Sequence, residues 1–132
     1  MSIETHTVVP NKLFHHTVKG YVVVADIKTY QDAFWTENEN LDETVNTVWD
    51  LRNADLSNLS FAAIDNYAEN VLQSMFIPYK AGRTVILMND TPEKHLITYL
   101  GNAIGKAHNR ELTLFTDYDQ AFSYADVAEA SA

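Results

Sequence analysis

One stretch constrains this chain more than any other: residues 45–60, VNTVWDLRNADLSNLS. Its first part, residues 45–51, is rich in β-branched and aromatic side chains, which suit a pleated strand packed on both faces. Asp50, Arg52, Asn53 and Asp55 then break the apolar run, Ser57 and Ser60 follow, and from Phe61 the hydrophobic period becomes helical. The expected unit is a buried strand, a polar loop carrying Asp50, Arg52, Asp55 and Ser57, and a helix. Such a unit sets polar side chains and free backbone N–H groups at the carboxyl edge of a sheet, where open α/β sheets usually bind ligands.

The remaining segments extend this pattern in both directions. Residues 3–9 and 12–18 are short β-rich runs divided by Pro10-Asn11, a turn pair, and predict an antiparallel hairpin. Residues 20–38 are ambiguous by composition, but Val23, Ile27, Tyr30 and Phe34 recur at helical spacing and favour a helix. Val24 and Trp35 fall about 100° from that stripe, beside Gln31. They form a second, smaller apolar patch that a loop, a ligand, a partner chain or a bilayer must cover.

After the central loop, Phe61, Ile64, Ala68, Val71, Leu72 and Met75 form the inward stripe of a second helix, ended by Ile77-Pro78. Residues 84–88 are a nearly continuous apolar run, as a central strand should be. Asp90 and Glu93 have capping-box spacing around Pro92, and they open a third helix whose inward face carries Leu96, Ile97, Leu100 and Ile104. Gly101 and Gly105 allow that helix a close backbone approach. Residues 111–115 read as the last strand, and Thr116-Asp117 caps a final helix with Ala121, Phe122 and Ala125 toward the sheet. The order is β-β-α-β-α-β-α-β-α in a single α/β domain spanning residues 1–132. Its sheet is mixed and mostly parallel, with right-handed crossovers and one antiparallel edge.

Composition narrows the functions. A net charge of -9 leaves too few Lys and Arg to offset phosphates, which argues against nucleic acid. The chain has no cysteine, so disulfides, thiolate nucleophiles and cysteine metal sites are excluded. His15 and His16 are adjacent and point to opposite faces of their strand, and the other histidines supply no metal-ligand spacing. No apolar run approaches the ~20 residues needed to cross a bilayer, and the first residues do not resemble a signal peptide, so a cytoplasmic protein is expected. Nothing resembles a nucleophile elbow or a phosphate-cradling glycine loop. Asp50 and Asp55 lack a histidine or lysine partner by sequence, and Asp50 and Arg52 read as a local ion pair. The expectation is no enzyme and no cofactor.

The element order and three short motifs resemble the STAS family, the sulfate-transporter and anti-sigma-factor-antagonist domains, and most of all its SpoIIAA-like branch of small free-standing bacterial proteins. The motifs are Trp49-Asp50-Leu51-Arg52 at a strand end, Gly82-Arg83-Thr84-Val85 at the start of the next strand, and Phe115-Thr116-Asp117 with Ala121 at the closing strand and helix. Antagonists of that branch carry a phosphorylatable serine in an Asp-Ser-Ser-Gly-like sequence at the start of the helix after the central strand. The corresponding segment here is Asn58-Leu59-Ser60-Phe61, which places Ser60 near that serine but lacks the acid and the glycine. Ser60 as a helix N-cap accounts for its presence. The fold of the branch also resembles the Sec14-like (CRAL-TRIO) lipid carriers.

Taken together, these features predict a binding module for an apolar small molecule or lipid, with Val24, Trp35, Phe76 and Tyr79 as ligand-facing residues. Membrane association would be peripheral, at the inner membrane surface. The alternative is a protein-binding regulatory switch at the 55–60 loop and the helix that follows, with or without phosphorylation at Ser60. The sequence leaves a homodimer open.

Overall fold

Asn11 takes a left-handed backbone (φ 63°), which asparagine tolerates better than most residues, and closes the turn between β1 (Ser2–Val9) and β2 (Leu13–Tyr21). The computed structural model describes residues 1–40, 44–70, 74, 81–108 and 112–126. The hairpin leads into α1 (Val24–Glu37), β3 (Val45–Asp55), α2 (Phe61–Asn70), β4 (Ala81–Leu87), α3 (Lys94–His108), β5 (Leu112–Phe115) and α4 (Tyr118–Ala125). This is the expected order. The Phe76–Tyr79 helix end, the acidic residues 41–43 and the tail lie outside the described residues.

The five strands lie side by side in the order β1-β2-β3-β4-β5. β1 is antiparallel to β2, and every later neighbour is parallel. Because the order rises steadily from β2 to β5, right-handed crossovers put α1, α2 and α3 on the same face. Their side chains pack there with Trp49, Leu51 and Ile86. α4 covers the opposite face, where Ala121 and Ala125 meet Val48, Val85 and Leu87. The period-2 alternation of β3 divides the two cores, with Trp49 and Leu51 on one side and Val48 and Asp50 on the other. No strand-order reversal occurs from β2 to β5, so this sheet lacks the crevice that a topological switch point opens at a carboxyl edge. Space for a ligand has to arise between the helix layer and the sheet instead.

The ends of β2 and β3 differ from the sequence expectation, for one reason. β3 does not stop at Leu51, and β2 does not stop at Val18. Lys19, Gly20 and Tyr21 pair with Asn53, Ala54 and Asp55, so the two strands prolong each other. The first residues assigned to the α1 helix belong to β2, and the polar loop is in large part strand. The inward face of α1 is also broader than the single stripe. Phe34 and Trp35 are buried, Val24, Ile27, Tyr30 and Gln31 are half-buried, and Val23 is exposed. In α2, Ile64 and Tyr67 are buried while Phe61, expected on the inward stripe, is exposed and packs edge-on against Tyr99 at 5.0 Å. Val71, Leu72 and Met75 lie outside the described residues. Asp90 bonds the Lys94 ammonium at 2.6 Å, and the helix proper starts only at Lys94.

Gly82 shows why glycine opens β4. A Cβ there would stand 2.2 Å from Asn46 Oδ1. That oxygen accepts from Arg83 N at 2.8 Å, while Asn46 Nδ2 donates to Ala125 O at 2.8 Å, tying β3, β4 and α4 together. At Gly101 the added carbon would lie 3.1 Å from Leu112 Cδ2, so α3 can approach β5 closely. Among the described residues, no helix is long and apolar enough to cross a membrane.

Candidate functional site

Between α1, α2, α3 and the sheet lies a cavity of about 80 Å³. Its sheet wall is Trp49, Leu51 and Ile86, and its helix walls include Val24, Ile27, Ile97 and Leu100. One water needs roughly 10–15 Å³ of such space, so the cavity admits a molecule of roughly five to eight non-hydrogen atoms. It lies where the three helices meet above β3 and β4.

Three polar side chains reach this apolar lining: Gln31 from α1, Tyr67 from α2 and Thr84 from β4. Gln31 Oε1 and the Tyr67 hydroxyl are both buried without a hydrogen-bond partner among the described residues. Burial, reinforced by the Asp32 carboxylate, pushes the Tyr67 hydroxyl well above the usual phenol range, so it stays protonated. An apolar pocket with a few polar groups turned into it is the usual form of a small-molecule site.

The structure separates the residues expected to face a ligand. Val24 lines the cavity. Trp35 does not: it is 3% exposed in a cluster with Phe14, Phe34 and Val45, with the Phe34 ring edge-on at 4.9 Å. The off-stripe patch is therefore covered by the protein's own core at Trp35 and opens on the cavity at Val24. Phe76 and Tyr79 lie outside the described residues. Sequence reasoning does not place Gln31, Tyr67 or Trp49 at a ligand site. Gln31 had a usable signal, being a lone polar residue on the apolar arc Val24-Ile27-Gln31-Trp35.

Asp50 and Arg52 belong to the other face. The Asp50 side chain is almost fully buried, with His15 Nε2 at 3.1 Å and Arg52 gripping it through Nε at 3.0 Å and NH2 at 2.8 Å. Burial alone would raise this carboxyl, but the hydrogen bonds from His15 and Arg52 outweigh it and hold the group well below the usual carboxylate range. So Asp50 does have a histidine partner, which its sequence distance concealed. The paired charges also explain why Asp50 does not end the strand. Phe122 packs edge-on against His15 at 4.9 Å, and Tyr118 lies 5.3 Å from the Arg52 guanidinium, so α4 roofs the network. With both carboxylate oxygens engaged, the group serves best as an anchor between β2, β3 and α4.

At the carboxyl edge, Asp55 Oδ1 accepts from Ser57 N at 3.0 Å and shapes the turn into α2. Ser60 Oγ accepts from Ala63 N at 3.0 Å, the geometry of an N-cap, worth about 1 kcal/mol. Arg52, Asp55 and Ser57 border an open, mostly polar depression with Asn89 and Glu93, separate from the cavity. Among the described residues no cluster of three or more His, Asp or Glu could hold a metal.

No protein-family model matches the sequence, and no curated protein matches it. Among solved structures the chain is similar to an uncharacterised DUF3478-family protein from Shewanella loihica PV-4 with a SpoIIAA-like fold. The likeness covers 94% of this chain and 92% of that one, at a TM-score of 0.55 and 13% identity. A likeness at that identity establishes the fold, and the fold of this chain is SpoIIAA-like.

Proposed function

We propose that this SpoIIAA-like domain is a non-catalytic binding module for a small apolar molecule held between the α1–α3 layer and the sheet. The cavity carries this reading: it is preformed, almost wholly apolar, and lined by two side chains whose buried polar atoms have no partner among the described residues. A lipid-length acyl chain exceeds its volume, so the occupant is compact. The cavity is distinct from the polar depression at the carboxyl edge of β3.

Thermal unfolding with a compact apolar compound tests the reading. Cyclopentane at 100 times its Kd should stabilise the wild-type protein by about 2.7 kcal/mol. Val24→Phe, which places a larger ring at a half-buried wall position, should keep the fold and lose the response. No stabilisation of the wild type, or equal stabilisation of both proteins, contradicts the proposal.

A second reading, a regulatory docking surface at the start of α2, is favoured by one observation. Phe61 is 53% exposed and pairs with Tyr99 directly beside the exposed Ser60. This surface lies outside the cavity, so the two readings are compatible.

A further inference from the structure

The chemistry of the cavity's polar atoms defines the head group of its occupant, an inference that rests on the binding-module reading above. A buried polar atom without a partner is costly, and most such atoms in folded proteins are satisfied by protein or by a bound molecule. Two of the side chains that carry such atoms among the described residues, Gln31 through Oε1 and Tyr67 through its hydroxyl, line the same apolar space. Tyr67 is 4% exposed, so bulk water does not satisfy its hydroxyl. Gln31 Oε1 accepts only, and the Tyr67 hydroxyl can donate one hydrogen bond and accept another.

We propose that the cavity selects a small neutral molecule with an apolar body of about five carbons and one hydrogen-bonding head that both donates and accepts, a hydroxyl or a primary amide. The head gives its proton to Gln31 Oε1 and receives one from Tyr67. A head that only accepts, such as a ketone, leaves Gln31 unsatisfied. An ionised carboxylate is worse. It would face the Gln31 oxygen without a proton to offer, and no Lys, Arg or His lines the cavity among the described residues. The nearby charges do not help it: Asp32 adds negative potential at Tyr67, and Lys28, the basic residue one turn before Asp32, is already bonded to that carboxylate. Free fatty acids, the most obvious apolar metabolites with a head group, are therefore excluded in their ionised form.

Four compounds on one ring separate the possibilities: cyclopentane, cyclopentanol, cyclopentanecarboxamide and cyclopentanecarboxylate, the last two matched in size. Binding at pH 7 is read by the emission of Trp49, which lines the cavity, and by calorimetry. Cyclopentanol and the carboxamide should bind about tenfold tighter than cyclopentane, and the carboxamide at least tenfold tighter than the carboxylate. Tyr67→Phe and Gln31→Leu should each erode the advantage of the alcohol over cyclopentane measured on the same variant. Unliganded Tyr67→Phe should be as stable as the wild type, because it removes an unsatisfied hydroxyl and little else. Carboxylate binding equal to that of the carboxamide would overturn the head-group assignment. So would an alcohol preference that survives the double substitution. Binding of cyclopentane with no preference among heads leaves the cavity reading standing and removes this inference alone. Failure of all four compounds to bind removes both.

Discussion

Lowering the pH from 7 to 4 should remove about 3 kcal/mol of unfolding free energy, and His16 should be the main cause. The imidazole is fully buried, and burial, with a lesser contribution from neighbouring His15, pushes its pKa down from 6.5 to about 3. Its Nδ1 lies 2.8 Å from Thr5 Oγ1, and Nε2 has no partner among the described residues. Aromatic rings enclose the rest: Phe34 edge-on at 4.6 Å, Trp49 at 4.5 Å and Tyr30 at 5.4 Å. A proton on this ring would create a buried charge with no carboxylate against it. The folded pKa is depressed, so the stability is complete above the unfolded value near 6.5 and is lost as the pH falls toward 3. The unfolded chain binds the proton throughout that window and the folded chain does not. The full linkage between the two pKa values amounts to roughly 5 kcal/mol. Asp50 is held low and adds its own loss only below the ordinary carboxylate range, near pH 4. Urea unfolding across pH 4–7 measures the slope, and His16→Leu should flatten most of it. An unchanged slope in that variant would place the acid sensitivity elsewhere.

Trp35→Ala should destabilise the domain by about 3–5 kcal/mol, the usual range for removing a large buried aromatic. The indole is 3% exposed among Phe14, Phe34 and Val45, and the cavity left by truncation would be bounded by rigid strand and helix on both sides. Its Nε1 is buried with no partner among the described residues, so Trp35→Phe should cost distinctly less. Denaturant unfolding gives the energies. The same variants should retain cyclopentane binding wherever they remain folded, since Trp35 does not line the cavity. A Trp35→Ala protein of nearly full stability that no longer binds would return Trp35 to the ligand site.

The fold was legible because each local signal agreed with the next. The apolar runs of β3 and β4, Asp117 capping α4 through Gln120 N at 2.8 Å, and Ser60 capping α2 all depend on residues close together in sequence. Strand ends were harder to read. Charged residues usually signal a loop, and nothing local says that Asp50 meets His15 from 35 positions away. That long-range pairing let β3 run on through its polar half. The second apolar patch on α1 was half legible. Helical spacing sets Val24 and Trp35 off the main stripe together, but Trp35 packs with Phe14, Phe34 and Val45 while Val24 lines the cavity, a division that depends on how the neighbouring elements seat around α1. Gln31 and Tyr67 were invisible as a pair, since they come from different helices that meet only in the folded layer.

The space between the α1–α3 layer and the sheet should accept a compact apolar molecule. Methyl-resolved NMR during a cyclopentane titration tests it most directly. Saturable shifts are expected at Leu51, Leu59, Ile97, Leu100 and Ile104, which line the cavity. Leu13, Val48, Val85 and Leu87, packed under α4 on the other face, should stay still. Shifts of equal size on both faces, or none at either, would contradict it.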